Sequence, residues 1–311
     1  MATSGSGSTT NPPSGGEKSL HWSKDRLHAD ITKAVGGVMN LVREVARVSH
    51  KMDEAVPAEW MVKRAQFMSY ELQTLARNAQ TEIEKLGVLN HFFFEEKNFR
   101  CVTDFSRVRD ATEAFRLNRV FNDRTGAPIV LELLYAYLAE KIGVKLEFVD
   151  LKPTCFLKWC EKGRSRFIDI TRGGATLSSD ELIETLQTRF RITSFTTSTV
   201  LDAYTFESFV GDYVSALKRA CGLGADAGST NPEKLLFLQD TLIAYQPSNL
   251  HLVGERALLQ RRLGNFKGAL SDLKRYFAFH DRARAPGELV RLYDELVQLL
   301  ERTKTNIEVI D

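Results

Sequence analysis

Paired cysteine is missing from this sequence. The four cysteines, Cys101, Cys155, Cys160 and Cys221, include no C-x-x-C pair, which removes zinc-ribbon and thioredoxin-type chemistry. They are too sparse over 311 residues for a disulfide framework, so reduced thiols in a cytoplasmic protein are expected. An excess of one charge is missing too: 42 Lys plus Arg face 40 Asp plus Glu, a net of +2. So even a balance argues against a general polyanionic partner, and neither nucleic acid nor a membrane surface is expected. Short basic spots such as Arg282 and Arg284 read as solvated surface. The longest apolar stretch, residues 129–144, is broken by Glu132, Glu140 and Lys141 and falls short of the ~20 residues that a bilayer span needs. No cofactor and no metal site is expected. The opening residues lack the pattern of a secretory signal or a transit peptide. They are almost all Ser, Thr, Gly, Pro and Asn, which predicts a disordered tail over 1–17.

The remainder reads as a globular protein, 43% hydrophobic and 26% charged. Residues 18–86 form a helical N-terminal module. Ile31, Val35, Val38, Leu41, Val42 and Val45 recur at helical spacing over 27–50. Pro57 then opens a second helix that runs to about Leu86 or breaks once on the way. The dense run of Phe92, Phe93, Phe94 and Phe99 belongs in a core, and His91 beside it reads as structural.

The centre, 87–221, carries the most information. A short helix over 111–121 stops at 122–126, where Gly126 suits a left-handed end. Pro128 opens the next helix, 128–142, which is apolar almost all round and must lie buried. Strand-like segments follow at 145–149, 155–159 and 165–170, with a hairpin turn at 161–164. Ser178 and Glu181 are spaced as a capping box for a further helix. Residues 194–199 read as a strand or an extended connection, and 203–220 as a helix. The order of buried helix, antiparallel strands and closing helix is an α+β core.

Residues 222–232, rich in Gly, Ser, Asn and Pro, form a linker to an all-α tail, 233–311. In that tail Leu263-Gly264, Phe266, Ala269 and Tyr276 fall at a spacing that resembles the tetratricopeptide repeat. About one full repeat is present, with fragments on either side, so the tail is expected to pack on the core. Leu263, Gly264, Phe266 and Tyr276 are the candidates for binding a partner.

Cysteine acyl transfer needs a thiol at a helix N-terminus, a histidine base and a carboxylate to orient it. The runs Leu117-Asn118-Arg119-Val120, Arg124-Thr125-Gly126-Ala127-Pro128-Ile129, Leu133-Leu134-Tyr135, Phe167-Ile168-Asp169, Gly173-Gly174 and Leu177-Ser178 carry a frame for such a site. In this order they resemble the SirB-like subfamily of the transglutaminase-like superfamily. That resemblance implies a papain-like core followed by tetratricopeptide repeats. It also places the three catalytic positions. The nucleophile position falls on or beside Pro128, the histidine position is Cys155 within Pro153-Thr154-Cys155-Phe156-Leu157, and the aspartate is Asp169. One of the three groups is kept. The expected function is therefore a non-catalytic interaction or regulatory protein with an unidentified protein partner. The alternative is a divergent cysteine-dependent amide hydrolase or acyltransferase using Cys155 and Asp169. A carboxylate beside Cys155 would raise its thiol pKa. A local role for Asp169, accepting backbone N–H groups before Gly173-Gly174, competes with a functional one.

Overall fold

The structure, a computed structural model, describes residues 37–311 apart from 106–107, 152–153, 162, 192–204, 224–229 and 309–311. At 150, 151, 154, 155, 190 and 300–308 it describes the backbone alone. The expectations for 1–17 and 194–199, and most of that for the linker, lie outside the described residues, as does the first part of the helix read over 27–50.

Helix α1 (Gly37–Met52) buries Leu41, Val42, Val45, Ala46 and Val48 on one stripe. Its first turn is held from a distance, since Val38 N donates to Glu140 Oε2 at 3.0 Å. Helix α2 (Ala58–Leu75) follows Pro57 and ends in a short 3₁₀ turn, Ala76–Asn78. A new helix, α3 (Glu82–Asn90), starts at a capping box of Thr81 and Glu84. The single break allowed by the sequence therefore falls at 76–81. The phenylalanine run continues α3 as one π-helical segment, His91–Glu96, with Phe92, Phe93 and Phe94 buried. Phe93 stacks on Phe99 at 4.5 Å and meets Tyr135 edge-on at 5.5 Å.

A two-residue strand β1 (Arg100–Cys101) pairs in parallel with β2 (Thr125–Gly126). Between them lie a 3₁₀ turn, Ala111–Phe115, and helix α4 (Leu117–Asp123). The expected single helix over 111–121 is thus two pieces, parted at Arg116, whose backbone is extended. The left-handed stop is Arg124, at φ 59°, and Gly126 serves another purpose. Drawn into the ladder with Cys101, Gly126 lies so close to α5 that a Cβ there would sit 3.0 Å from Leu131 Cδ2.

Helix α5 (Pro128–Lys141) is the central element, with every residue from Val130 to Ala139 buried. It packs against α1, α2 and α3 and against one face of a four-stranded antiparallel sheet. That sheet runs in the order β3 (Glu147–Leu151), β4 (Thr154–Glu161), β5 (Arg164–Asp169) and β6 (Ala175–Leu177). β3 starts two residues later than the alternation predicts, with exposed Lys145 outside it. β6 has no sequence counterpart. One sheet face carries Leu157, Trp159 and Ile168 into the main core. The other carries Val149, Phe156, Phe167 and Leu177 onto Leu182 and Leu186 of helix α6 (Ser179–Phe190). The Ser178–Glu181 capping box opens α6 as expected.

Helix α7 (Phe206–Ala220) returns to the core, where Tyr213 donates to Phe115 O at 3.0 Å. Four helices make the C-terminal segment: α8 (Pro232–Tyr245), α9 (Leu250–Arg262), α10 (Phe266–Phe277) and α11 (Gly287–Glu308). Leu238 and Leu242 of α8 belong to the main core, while Ala257, Ala269, Leu273, Tyr276, Leu289, Leu292 and Leu296 form a smaller one. Gly264, at φ 75°, turns α9 into α10.

Candidate functional site

Three elements converge on the position the sequence singles out: the start of α5, the open end of the β4–β5 hairpin, and β1. Pro128 is the first residue of α5, and Ala127 before it is extended, with φ −63° and ψ 146°. Ala127 N donates to Ala114 O at 2.8 Å, and Ala127 O accepts from Val130 and Leu131. The turn is thereby fixed. A proline ring in this place supplies neither a nucleophile nor a donor.

Strands β4 and β5 pair from Leu157↔Ile168 to Glu161↔Arg164. Cys155 and Asp169 follow just beyond Leu157 and Ile168, at the same end of the hairpin. In the β3–β4 ladder Cys155 stands opposite Asp150. Its side chain is outside the described residues.

Asp169 is 2% exposed. Its Oδ1 accepts from Thr171 N at 2.9 Å and from Thr171 Oγ1 at 2.5 Å, which caps the 3₁₀ turn Ile170–Arg172. Its Oδ2 receives Arg189 Nη1 at 3.0 Å, and both terminal nitrogens of Arg189 also reach Thr171 Oγ1 at 3.1 Å. Asp169 O accepts from Gly174 N, which closes the loop. The chain builds the same device elsewhere. Asp110 Oδ1 accepts from Thr112 N and Thr112 Oγ1, and Asp110 Oδ2 receives Arg116 Nη2 at 2.8 Å. Both are Asp-x-Thr caps completed by an arginine. The second copy starts a 3₁₀ turn that corresponds to no catalytic position, so the arrangement has a structural purpose of its own.

Sequence reasoning passed over Cys101. On β1, paired with Gly126 two residues before Pro128, it donates its thiol to Ile170 O at 3.7 Å. Burial pushes this thiol up to about 12, and the carboxylates of Glu132 and Asp169 add to the shift. It is a protonated thiol at neutral pH. A two-residue strand has no periodicity to read, so nothing in the sequence placed Cys101 here.

The four histidines among the described residues make their contacts elsewhere. His50 Nδ1 meets Val56 O at 3.0 Å. His91 is exposed and lies 2.9 Å from Glu95 and 3.5 Å from Glu96. His251 and His280 face each other in the C-terminal segment. Also among the described residues, no group of three or more His, Cys, Asp or Glu is arranged to hold a metal ion, and no helix is long and apolar enough to cross a membrane.

In the C-terminal segment Leu263 and Phe266 are exposed, at 36% and 39%, on either side of the Gly264 turn. Tyr276 has to be corrected as a partner-binding candidate: it is 1% exposed, inside the small core, with its ring stacked on His280 at 4.3 Å. Its size and apolar body are spent on packing. An ion network there was not read from the sequence. Arg256 bridges α8 and α10, its Nη1 2.8 Å from Asp240 Oδ1 and its Nη2 2.6 Å from Asp272 Oδ1, while Gln260 Nε2 donates to Asp272 Oδ2 at 2.9 Å.

A family model described as the transglutaminase-like superfamily matches residues 46–208. A UPF0162 protein of Xylella fastidiosa is 22% identical over 218 residues, covering 69% of this chain and 76% of that protein. F-box only protein 21 of Mus musculus and of Homo sapiens is in each case 28% identical over 93 residues. Those matches cover 29% of this chain and span 14% of the F-box proteins' own length.

Proposed function

The chain belongs to the transglutaminase-like superfamily, and on that premise we propose that it is a non-catalytic, cytoplasmic interaction or regulatory protein. Its helical C-terminal segment binds a protein partner or supports the core. One observation carries this reading. The first position of the buried helix is Pro128, and the one retained triad group, Asp169, has both carboxylate oxygens engaged by Thr171 and Arg189. A triad acts as a unit, and without the nucleophile the covalent route is gone.

Within the superfamily we place the chain in the SirB-like subfamily. The ordered motifs from Leu117 to Ser178 support this. We read α9 and α10, with the Leu263-Gly264 turn between them, as one tetratricopeptide-type repeat flanked by partial ones. The corresponding division is a helical module over 18–86, a core over 87–221, a linker over 222–232 and a tail over 233–311.

The test is turnover. The purified full chain is offered fluorogenic amides, thioesters and an amine acceptor. No turnover above the rate of a heat-denatured sample is expected. Turnover that Cys155→Ala abolishes would establish the second reading, a divergent thiol enzyme using Cys155 and Asp169. The common end of the β4–β5 hairpin, where both residues lie, is what favours that alternative.

A further inference from the structure

We propose that His251 and His280 form a two-imidazole site for a divalent transition-metal ion, copper or zinc, that clamps the open end of the α9–α10 hairpin. The tight Gly264 turn joins the two helices, so the start of α9 lies beside the end of α10. His251 is the second residue of α9, and His280 follows the last residue of α10 by three positions. Their rings stand 5.3 Å apart between centres and are inclined at 61°. The fold alone brings them together, since no metal-ligand spacing joins them in the sequence.

The separation is that of two ligands on one ion. A metal–nitrogen distance of about 2.0–2.1 Å puts an imidazole centre roughly 3.2 Å from the metal, and two rings set at a tetrahedral angle then have centres roughly 5.2 Å apart. His280 is also held in the way a ligand is held. Its ring stacks on Tyr276 at 4.3 Å, nearly parallel at 3°, and its Nδ1 lies 3.2 Å from Tyr276 O. A backbone carbonyl accepts from Nδ1–H, which fixes the tautomer and leaves the lone pair of Nε2 for a metal. His251 is exposed, and neither of its ring nitrogens is engaged by a hydrogen bond or an ion pair among the described residues. Any aromatic ring at position 280 would serve for stacking on Tyr276, so packing does not account for a second histidine set against it.

The donor set decides the class of ion. Neutral imidazole suits copper, zinc and nickel, whereas magnesium and calcium require oxygen ligands. The cations that flank Tyr276 and His280 in sequence are turned elsewhere: Arg275 donates to Pro247 O at 3.2 Å, and Arg282 pairs with Asp294. Two protein nitrogens leave the other coordination positions to water, so the ion exchanges readily. Bound there, it ties the first turn of α9 to the residues that follow α10 and stabilises the hairpin in proportion to its occupancy. The site belongs to the C-terminal segment and is independent of any catalytic role for Cys155 or Asp169.

The experiment uses the full chain carrying His21→Gln, His28→Gln and His91→Gln, which removes the two histidines outside the described residues and exposed His91. Calorimetric titration with Cu²⁺, Zn²⁺ and Mg²⁺ is joined to electron paramagnetic resonance of the copper complex. One copper ion is expected to bind, zinc more weakly and magnesium not at all, and the copper spectrum is expected to show two imidazole nitrogens. His251→Gln, on an exposed side chain, is expected to weaken copper at least about tenfold and to leave the melting temperature of the metal-free protein unchanged. His280→Gln is expected to weaken copper in the same sense. Zinc is expected to raise the melting temperature and to slow hydrogen exchange in α9 and α10, and neither effect should survive His251→Gln. Absence of copper and zinc binding, unchanged copper affinity in His251→Gln, or a spectrum with a single nitrogen ligand, which means an adventitious ion only, overturns the proposal.

Discussion

Asp169 and Arg189 meet at 3.0 Å across the gap between β5 and α6, with the carboxylate 3% exposed and the guanidinium side chain 39% exposed. The pair fastens α6 to the end of the sheet. Because Arg189 is well solvated, the ion pair itself contributes under about 1 kcal/mol. The larger share comes from the Thr171 N–H and hydroxyl, which lose a buried acceptor when the carboxylate goes.

Asp169→Ala is therefore expected to cost about 2–3 kcal/mol in urea denaturation, and Asp169→Asn, which keeps an acceptor oxygen, about half as much. Asp110→Ala should cost less, because the Asp110–Thr112–Arg116 cap has the same construction but its carboxylate is 34% exposed and water can replace it. A stable Asp169→Ala protein with unchanged denaturation would show that the cap is not what retains this residue.

Thiol reactivity and alkaline stability follow from burial. Iodoacetamide should label exposed Cys160 well ahead of Cys101 and Cys221, whose thiols are pushed up by burial. Peptide mass spectrometry reads each rate, and Cys155 in the same digest reports directly on the thiol-enzyme alternative. A thiol raised in the folded state stays protonated there while the unfolded chain ionises near about 8.5. The stability it contributes is whole below that pH and is lost as pH rises to about 12 for Cys101. Burial raises the Tyr135 and Tyr213 hydroxyls in the same direction. The urea midpoint should hold from neutral pH to about 8.5 and fall steadily above it; a midpoint that rises with pH there would contradict the burial of these groups.

Glycine matters at position 174 because φ is 76° and a Cβ would collide with Asn90 Oδ1 and come within 2.9 Å of Phe94 Cε2. Asn90 also accepts from Tyr135 OH at 2.7 Å and donates to Gly174 O at 3.3 Å, so it cannot easily move away. Gly174→Ala is expected to cost roughly 2–4 kcal/mol. Gly163→Ala, at φ 82° with open space around it, should cost only about 1 kcal/mol. Thermal denaturation of the two variants side by side tests the difference, and equal losses would mean that strain alone is at work.

In the C-terminal helices, Arg256→Ala leaves the buried carboxylate of Asp272, 8% exposed, without its cation. A loss of about 3 kcal/mol is expected, concentrated locally. Hydrogen exchange should speed up in α9, α10 and α11 before it changes in α5. Uniform acceleration across the chain would mean that these helices unfold together with the core.

The parts of the fold that were legible in the sequence are those set by short-range rules. Helix α5 was readable because an apolar surface all round has only one place to go, and α6 because Ser178 and Glu181 cap it within one turn. The alternation around Phe148, the hairpin turn at 161–164 and the Leu263-Gly264 turn are local in the same sense. The resemblance singles out Pro128, Cys155 and Asp169 as candidate positions. Only the tertiary structure decided what surrounds them. Arg189 reaches Asp169 from twenty residues along the chain. Cys101 is brought to Pro128 by a ladder of two residue pairs, too short to show a period. Tyr276, a candidate for the surface, is covered by α11. The left-handed stop falls on Arg124, while Gly126 lies against Leu131. Periodicity and caps depend on neighbours within a turn or two, so one sequence window contains them. Burial, ion pairing and the cost of a strained residue depend on which distant segment arrives, and that is settled when α5 and the sheet close on each other.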